Sequence, residues 1–309
     1  MKRFLLLLSL FAVLGASLRA QVTLNATNFP DAYFRTYLAD KFSIAEGAVI
    51  TAEQIAATDV INVSALGVND MTGIAYFTEL TELQCARNAI TTLDVSHNTR
   101  LELLSCWGNK LTTLDVTMLP NLYYLDFEEN NIATIDLTHN PELVFLFLSD
   151  NPLTTLNLSN NRELAGINGY SCKFTNLDFS ANTALEEAYL EDNCLSEGAM
   201  DALVQTLPNF AGSTTKGVIS VFAEGIDGVE GKNVCNTNTV AKATAKQWQT
   251  KYYLPNDEAY ADYTGSEPTG IRELKQQVDD GAHRYNLSGQ RVGSNYRGIV
   301  VTKQGKTIQ

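Results

Sequence analysis

Histidine is scarce in this 309-residue chain, with three copies. His97 and His139 share one column of a repeating turn and His283 lies near the end, so no metal-ligand spacing appears. Also missing are a Ser or Cys nucleophile in a sharp strand-to-helix elbow and a Gly-rich phosphate loop after a strand. Carboxylates are plentiful but fall on solvated faces. These absences argue against an enzyme, and neither a cofactor nor a metal is expected.

Basic residues are the second shortage, 22 Lys and Arg against 35 Asp and Glu. That balance repels phosphate backbones and excludes nucleic acid as the expected partner. Long apolar runs are confined to the N-terminus. Lys2 and Arg3 precede Phe4 to Leu14, then come Gly15, Ala16 and Ser17, with Ala20 before Gln21. A charged start, a short apolar stretch and a small-residue exit describe a cleaved secretory leader, and the run falls short of the ~20 residues a bilayer needs. Removing it deletes Lys2, Arg3 and Arg19 and leaves 19 − 35 = −16 formal charges. Five cysteines is an odd number, which fits poorly with a disulfide framework in an exported protein.

What the chain has in abundance is self-similarity at a shift of 21. Leu80, Leu101, Leu122, Leu143, Leu164 and Leu185 recur at that interval, as do Leu83, Leu104, Leu125, Leu146, Ile167 and Ala188. A third apolar column reads Cys85, Cys106, Phe127, Leu148, Gly169, Leu190. Asn88, Asn109, Asn130, Asn151, Cys172 and Asn193 follow, then Ile90, Leu111, Ile132, Leu153, Phe174 and Leu195. Each unit reads L-x-x-L-x-φ-x-x-N-x-φ, which is the leucine-rich-repeat signature. The second half nearly copies the first as φ-x-x-L-D-φ-S-x-N, so two nested stretches of about ten residues make one coil. This resembles the bacterial leucine-rich repeats of nested pattern over roughly residues 61–195.

The expected fold is an α/β solenoid, a right-handed coil of short parallel strands, because one coil cannot bury its apolar face alone. The Asn column is expected to turn inward and satisfy backbone groups of the turn. The Asp and Ser/Thr columns are expected to cap the opposite turn rather than hold a calcium ladder. Cys85 and Cys106 fill an apolar column as small hydrophobes. Whether Cys172 and Cys194 pair across neighbouring coils stays open. Gly169 warns of a deviating fifth coil that could move Tyr170.

Solenoid ends need covers. Asn28-Phe29-Pro30-Asp31 starts a helix, and Thr51 with Gln54 forms a capping box for a second. Ser196 to Leu207 reads as a helix, Val218 to Phe222 as a strand, Thr239 to Trp248 as another helix, and Tyr252-Tyr253 as a further pairing segment. The divisions are therefore leader 1–20, helical N-terminal cap 21–60, solenoid 61–210, βα C-terminal cap 211–266, and linker with β tail 267–309. Such a cap followed by such repeats resembles the internalin-like surface proteins. The tail resembles the C-terminal segments of exported Bacteroidetes proteins, some of which act as sorting signals; an accessory β module is the alternative.

Comparing repeats with one another locates the expected binding face. Outward positions of the first strand collect aromatics and acids: Trp107, Tyr124, Asp126, Glu128, Phe145, Phe147, Tyr170, Tyr189 and Glu191. The corresponding column of the second half is uniform, Thr92, Thr113, Thr134, Thr155 and Asn176, as suits a structural surface. Exposed aromatics on a rigid face are enriched in binding hot spots. The resemblance implies a protein partner on a host or neighbouring cell surface. A glycan, on which aromatics could stack, and a ligand-free scaffold are the alternatives.

Overall fold

The computed structural model describes residues 21–223, 233–254 and 259–265, together with the backbone of four short strands between Arg284 and Ile308. The expected leader and most of the tail lie outside the described residues.

Each coil contributes one three-residue strand: β3 (Val60–Asn62), β4 (Glu82–Gln84), β5 (Leu103–Ser105), β6 (Tyr124–Asp126), β7 (Phe145–Phe147), β8 (Gly166–Asn168) and β9 (Glu187–Tyr189). All pair in parallel without slippage, so Leu83, Leu104, Leu125, Leu146, Ile167 and Ala188 stand side by side. The middle residue of each strand points inward and is buried, as are the Leu80-to-Leu185 and Cys85-to-Leu190 columns. Gly169 does not disturb the fifth coil. A side chain there would press against Leu148 and Phe174 at 3.1 Å, so their bulk already fills its place.

Two asparagine ladders close the turns. On one side Asn109 donates through Nδ2 to the carbonyls of Cys85 and Cys106 and accepts the Ile90 N–H at 3.0 Å. Asn130, Asn151 and Asn193 repeat this, and Cys172 substitutes a thiol bond to the Leu148 carbonyl at 3.4 Å. On the other side Asn98, Asn140, Asn161 and Asn182 are buried and donate to carbonyls of the preceding coil. Linking neighbouring coils by side-chain amides leaves few backbone groups to be buried unpaired.

The second half of each coil is not a strand, although its sequence nearly copies that of the first. Its amides are diverted: Ser96, Thr117, Thr138, Ser159 and Ser180 each donate their N–H to the Asp or Asn two residues earlier. That local bond competes with pairing to the next coil. The result is irregular backbone and turns with no ladder.

At the N-terminus α1 (Ala32–Phe42) is capped by Asp31, whose second oxygen accepts the Asn69 N–H at 2.8 Å and so ties the helix to the first coil. Tyr37 Oη accepts the Asn62 N–H and Lys41 donates to the Val60 carbonyl, which protects the open edge of β3. The β1 (Val22–Thr23) and β2 (Val49–Ile50) pair and the capping box of α2 (Ala52–Ala56) complete this cover.

The C-terminal cap is stitched into the same sheet. After α3 (Glu197–Thr206), β10 (Gly217–Ala223) pairs in parallel with β9 and β11 (Trp248–Leu254) with β10; β12 (Ala259–Asp262) closes the edge antiparallel. α4 spans Thr237–Ala245, so Trp248 opens a strand rather than ending a helix. Gly217 faces Trp248, whose ring would lie 2.3 Å from any added Cβ. The tail forms a four-stranded antiparallel sheet of β13 (Arg284–Tyr285), β14 (Arg291–Val292), β15 (Ile299–Thr302) and β16 (Gly305–Ile308). All five cysteines are free thiols; Cys172 and Cys194 do not pair.

Candidate interaction face

Alternation along β4–β9 sends the residues on either side of each inward one to the opposite face. Tyr124 and Phe145 lie side by side in one column, Asp126 and Phe147 in the next. The Tyr124 and Phe147 rings meet diagonally with centroids 5.1 Å apart, and Leu103 and Phe145 pack against the pair. Gly166, beside Phe145, adds no side chain to this side of the cluster. The patch is more closed than the sequence implied: Phe147 is 3% and Tyr124 8% exposed, while Leu103 and Phe145 remain half-buried. Stacking at strand spacing brings aromatic rings into mutual cover. Burial also pushes the Tyr124 phenol up, with the Asp126 charge adding to it.

Acids border the patch and are themselves held. Ser105 Oγ donates to Asp126 Oδ2 at 3.1 Å. Asn168 donates to Glu128 Oε1 at 2.7 Å, and the Ser149 hydroxyl lies against the same carboxyl. Burial first, then the Asp126 charge, raise Glu128 to about 8. Asp150 is raised by burial. Residues after each strand turn through a left-handed column, Arg87, Gly108, Glu129, Asp150, Ser171 and Asp192, with φ between 51° and 65°.

Trp107 sits beside this patch, half-buried, with the Arg87 guanidinium 5.6 Å from its ring centroid. Tyr170 is half-buried against Asp192 and Asp150, and its phenol is raised chiefly by burial. Two expected members are withdrawn from the surface. Tyr189 is fully buried with its ring 5.4 Å from Tyr260 of β12, and its hydroxyl donates to Glu187. Glu191 is 1% exposed, near the Ser220 and Tyr260 hydroxyls, and burial lifts it to about 7. Side chains of the cap strands, Ser220 and Tyr260, cover them, so neither forms part of an open face. The structure thus brings together Tyr124, Asp126, Glu128, Phe145 and Phe147. It adds Leu103, Ser105 and Asn168, neighbours visible in the same columns but less conspicuous than aromatics.

A groove lies elsewhere, on the second-half face. It has a volume of about 840 Å³ and runs from the Asp70–Ala75 turn past Thr92, Thr113 and Thr134. The uniform columns read as structural therefore line a depression. Among the described residues no helix is long and apolar enough to cross a membrane, and no group of three or more His, Cys, Asp or Glu side chains could hold a metal.

Comparison with known proteins follows this geometry. The solved functional domain of internalin J from Listeria monocytogenes, which includes a cysteine ladder, superposes with a TM-score of 0.60 at 29% identity, covering 76% of this chain and 48% of that one. The fold is an internalin-like leucine-rich-repeat solenoid. Internalin J of L. monocytogenes serotype 4b is 40% identical over 70 residues, 23% of this chain and 8% of that protein. The chain thus spans under half of the solved internalin J domain and a small part of the whole protein. A second L. monocytogenes internalin, inlF, shares the fold with a TM-score of 0.52 at 16% identity, covering 76% of this chain and 73% of its own. No family model matches. Within this internalin-like fold, Cys85 and Cys106 occupy two successive rungs of the inward column.

Proposed function

We propose that this protein is an exported surface binder that grips a protein partner with the strand face of β5–β8 and carries out no catalysis. The observation that carries the reading is the apolar patch of Leu103, Tyr124, Phe145 and Phe147, bordered by Asp126 and Glu128 on a rigid parallel sheet. A prebuilt apolar centre with a polar rim is the anatomy of a binding hot spot, and a rigid sheet loses little entropy on docking. The exposed Glu129 at the same border, rather than the protonated Glu128, favours a partner presenting Lys or Arg, with an on-rate that falls with salt. The likeness to internalin J supports an adhesive role at a host or neighbouring-cell surface. The cleavable leader and the β tail, read as a sorting signal, supply export in this account.

A glycan is the second reading, favoured by the half-exposed Trp107 beside Glu128. A host-protein pull-down run beside a glycan array with the mature protein separates the two. Capture of a protein that Phe145→Ala abolishes supports the first reading, and array signals lost in Trp107→Ala support the second. Protein captured equally well by the Phe145 variant would contradict the first.

A further inference from the structure

The groove on the second-half face has an acidic rim and a same-chain candidate to fill it. Leu93, Leu114 and Ile135 form its floor, and Asp94, Asp115 and Asp136 stand along it on successive coils. Among the described residues no Lys, Arg or His side chain lines it, although His139 Nδ1 lies 3.8 Å from Asp136 beyond the rim. Each aspartate is fixed in place because its Oδ1 accepts from the Ser or Thr two residues on. Those bonds hold the Asp94, Asp115 and Asp136 carboxyls below the usual range, so all three are charged at neutral pH.

Charge is segregated along the chain. Residues 281–309 contain Arg284, Arg291, Arg297, Lys303 and Lys306 and no Asp or Glu. The preceding 280 residues hold the other 17 Lys and Arg and all 35 acids, a formal 17 − 35 = −18.

We propose that the groove is the docking site of the chain's own basic C-terminal module, residues 281–309. Reach permits it. The stretch from Gly265 to Arg284 can extend to ~60 Å, and seven strand spacings from β12 back to β5 amount to ~34 Å. The row of carboxylates at strand spacing runs across three coils and meets Lys and Arg side chains without needing one fixed register. Docking of this kind is electrostatic and released by salt. It leaves the strand face of β5–β8 open, so it stands or falls independently of the proposed partner site.

The test uses residues 21–265, which hold the core cluster that runs from Val22 to Tyr263 among the described residues, with the fold of this fragment checked first by circular dichroism against the full chain. A synthetic peptide of residues 281–309 is titrated into this fragment by fluorescence anisotropy. The key variant is Asp94→Asn with Asp115→Asn and Asp136→Asn; Asn157, which already stands in this column and accepts the Ser159 N–H, shows that Asn preserves the turn. Binding should weaken about tenfold or more in the triple variant, and likewise between about 50 and about 500 mM salt. In the full chain at low salt, trypsin should cut at Arg291 and Arg297 more slowly in the wild type than in the triple variant, whatever the protein concentration. The proposal is overturned if the peptide does not bind or binds the triple variant equally. It is also overturned if Glu128→Gln weakens it instead, or if protection rises with concentration alongside dimers in light scattering.

Discussion

Asn168 donates to Glu128 across 40 positions of sequence, joining two coils on the outward side of the sheet. The bond holds a carboxyl that would otherwise reach into water under the neighbouring side chains. Since burial raises Glu128 to about 8 from its ordinary 4.5, the folded chain keeps a proton there that the unfolded chain has released. Native protein binds more protons than unfolded over that interval, so this group's contribution to stability is present at low pH and is lost as pH rises toward 8. Glu128→Gln keeps an acceptor for Asn168 and removes the titration. Urea unfolding at pH about 5 and about 8 should show wild type losing more stability than the variant, by on the order of 1–2 kcal/mol. Parallel losses would mean that Glu128 is ionised throughout.

Cys172 breaks the asparagine ladder, and the Leu153 N–H lacks the side-chain acceptor that Asn151 offers Ile132 in the preceding coil. Cys172→Asn should therefore stabilise the solenoid by about 1 kcal/mol, while Asn151→Ala, which strands the buried Ile132 N–H and removes one of the donors to the Phe127, Leu148 and Ser149 carbonyls, should cost about 1–3 kcal/mol. Thermal unfolding of both variants checks this. A destabilised Cys172→Asn would show that the thiol is there for its size.

Burial pushes the Cys85 thiol to about 12 and Cys106 well above its ordinary value, so neither is nucleophilic in the folded protein. Of the five free thiols one, Cys194, is exposed. Maleimide labelling without reductant should modify Cys194 in the native chain and all five after denaturation. Fewer than five after denaturation would reveal a disulfide.

The solenoid was legible because its evidence is periodic. The Leu80-to-Leu185 column repeats every 21 residues, and burial requires each member independently. Asn233 was not legible, although it continues the ladder by accepting the Leu195 N–H and donating to the Leu190 and Val221 carbonyls. It follows Asn193 by 40 residues, because α3 and β10 intervene. Tyr189 and Glu191 read as surface for the same reason: Tyr260, which comes to lie beside them, belongs to no repeat. The groove escaped notice because small uniform residues look structural in sequence, and its wall is the Asp70–Ala75 turn of the first coil. Tyr124 and Phe147 were placed on the right face, but sequence could not show that each covers the other.

The central claim is that a protein partner docks on the β5–β8 strand face, and surface plasmon resonance with the partner recovered by pull-down tests it most directly. Phe145 and Trp107 are half-buried, so Phe145→Ala and Trp107→Ala truncate contact area without emptying the core. Each should weaken binding by about 2 kcal/mol, a drop of roughly thirtyfold in affinity, with unchanged circular dichroism. Thr113→Ala, on the groove side, should leave the affinity unchanged. Full affinity in both aromatic variants, or a loss confined to Thr113→Ala, would contradict the account.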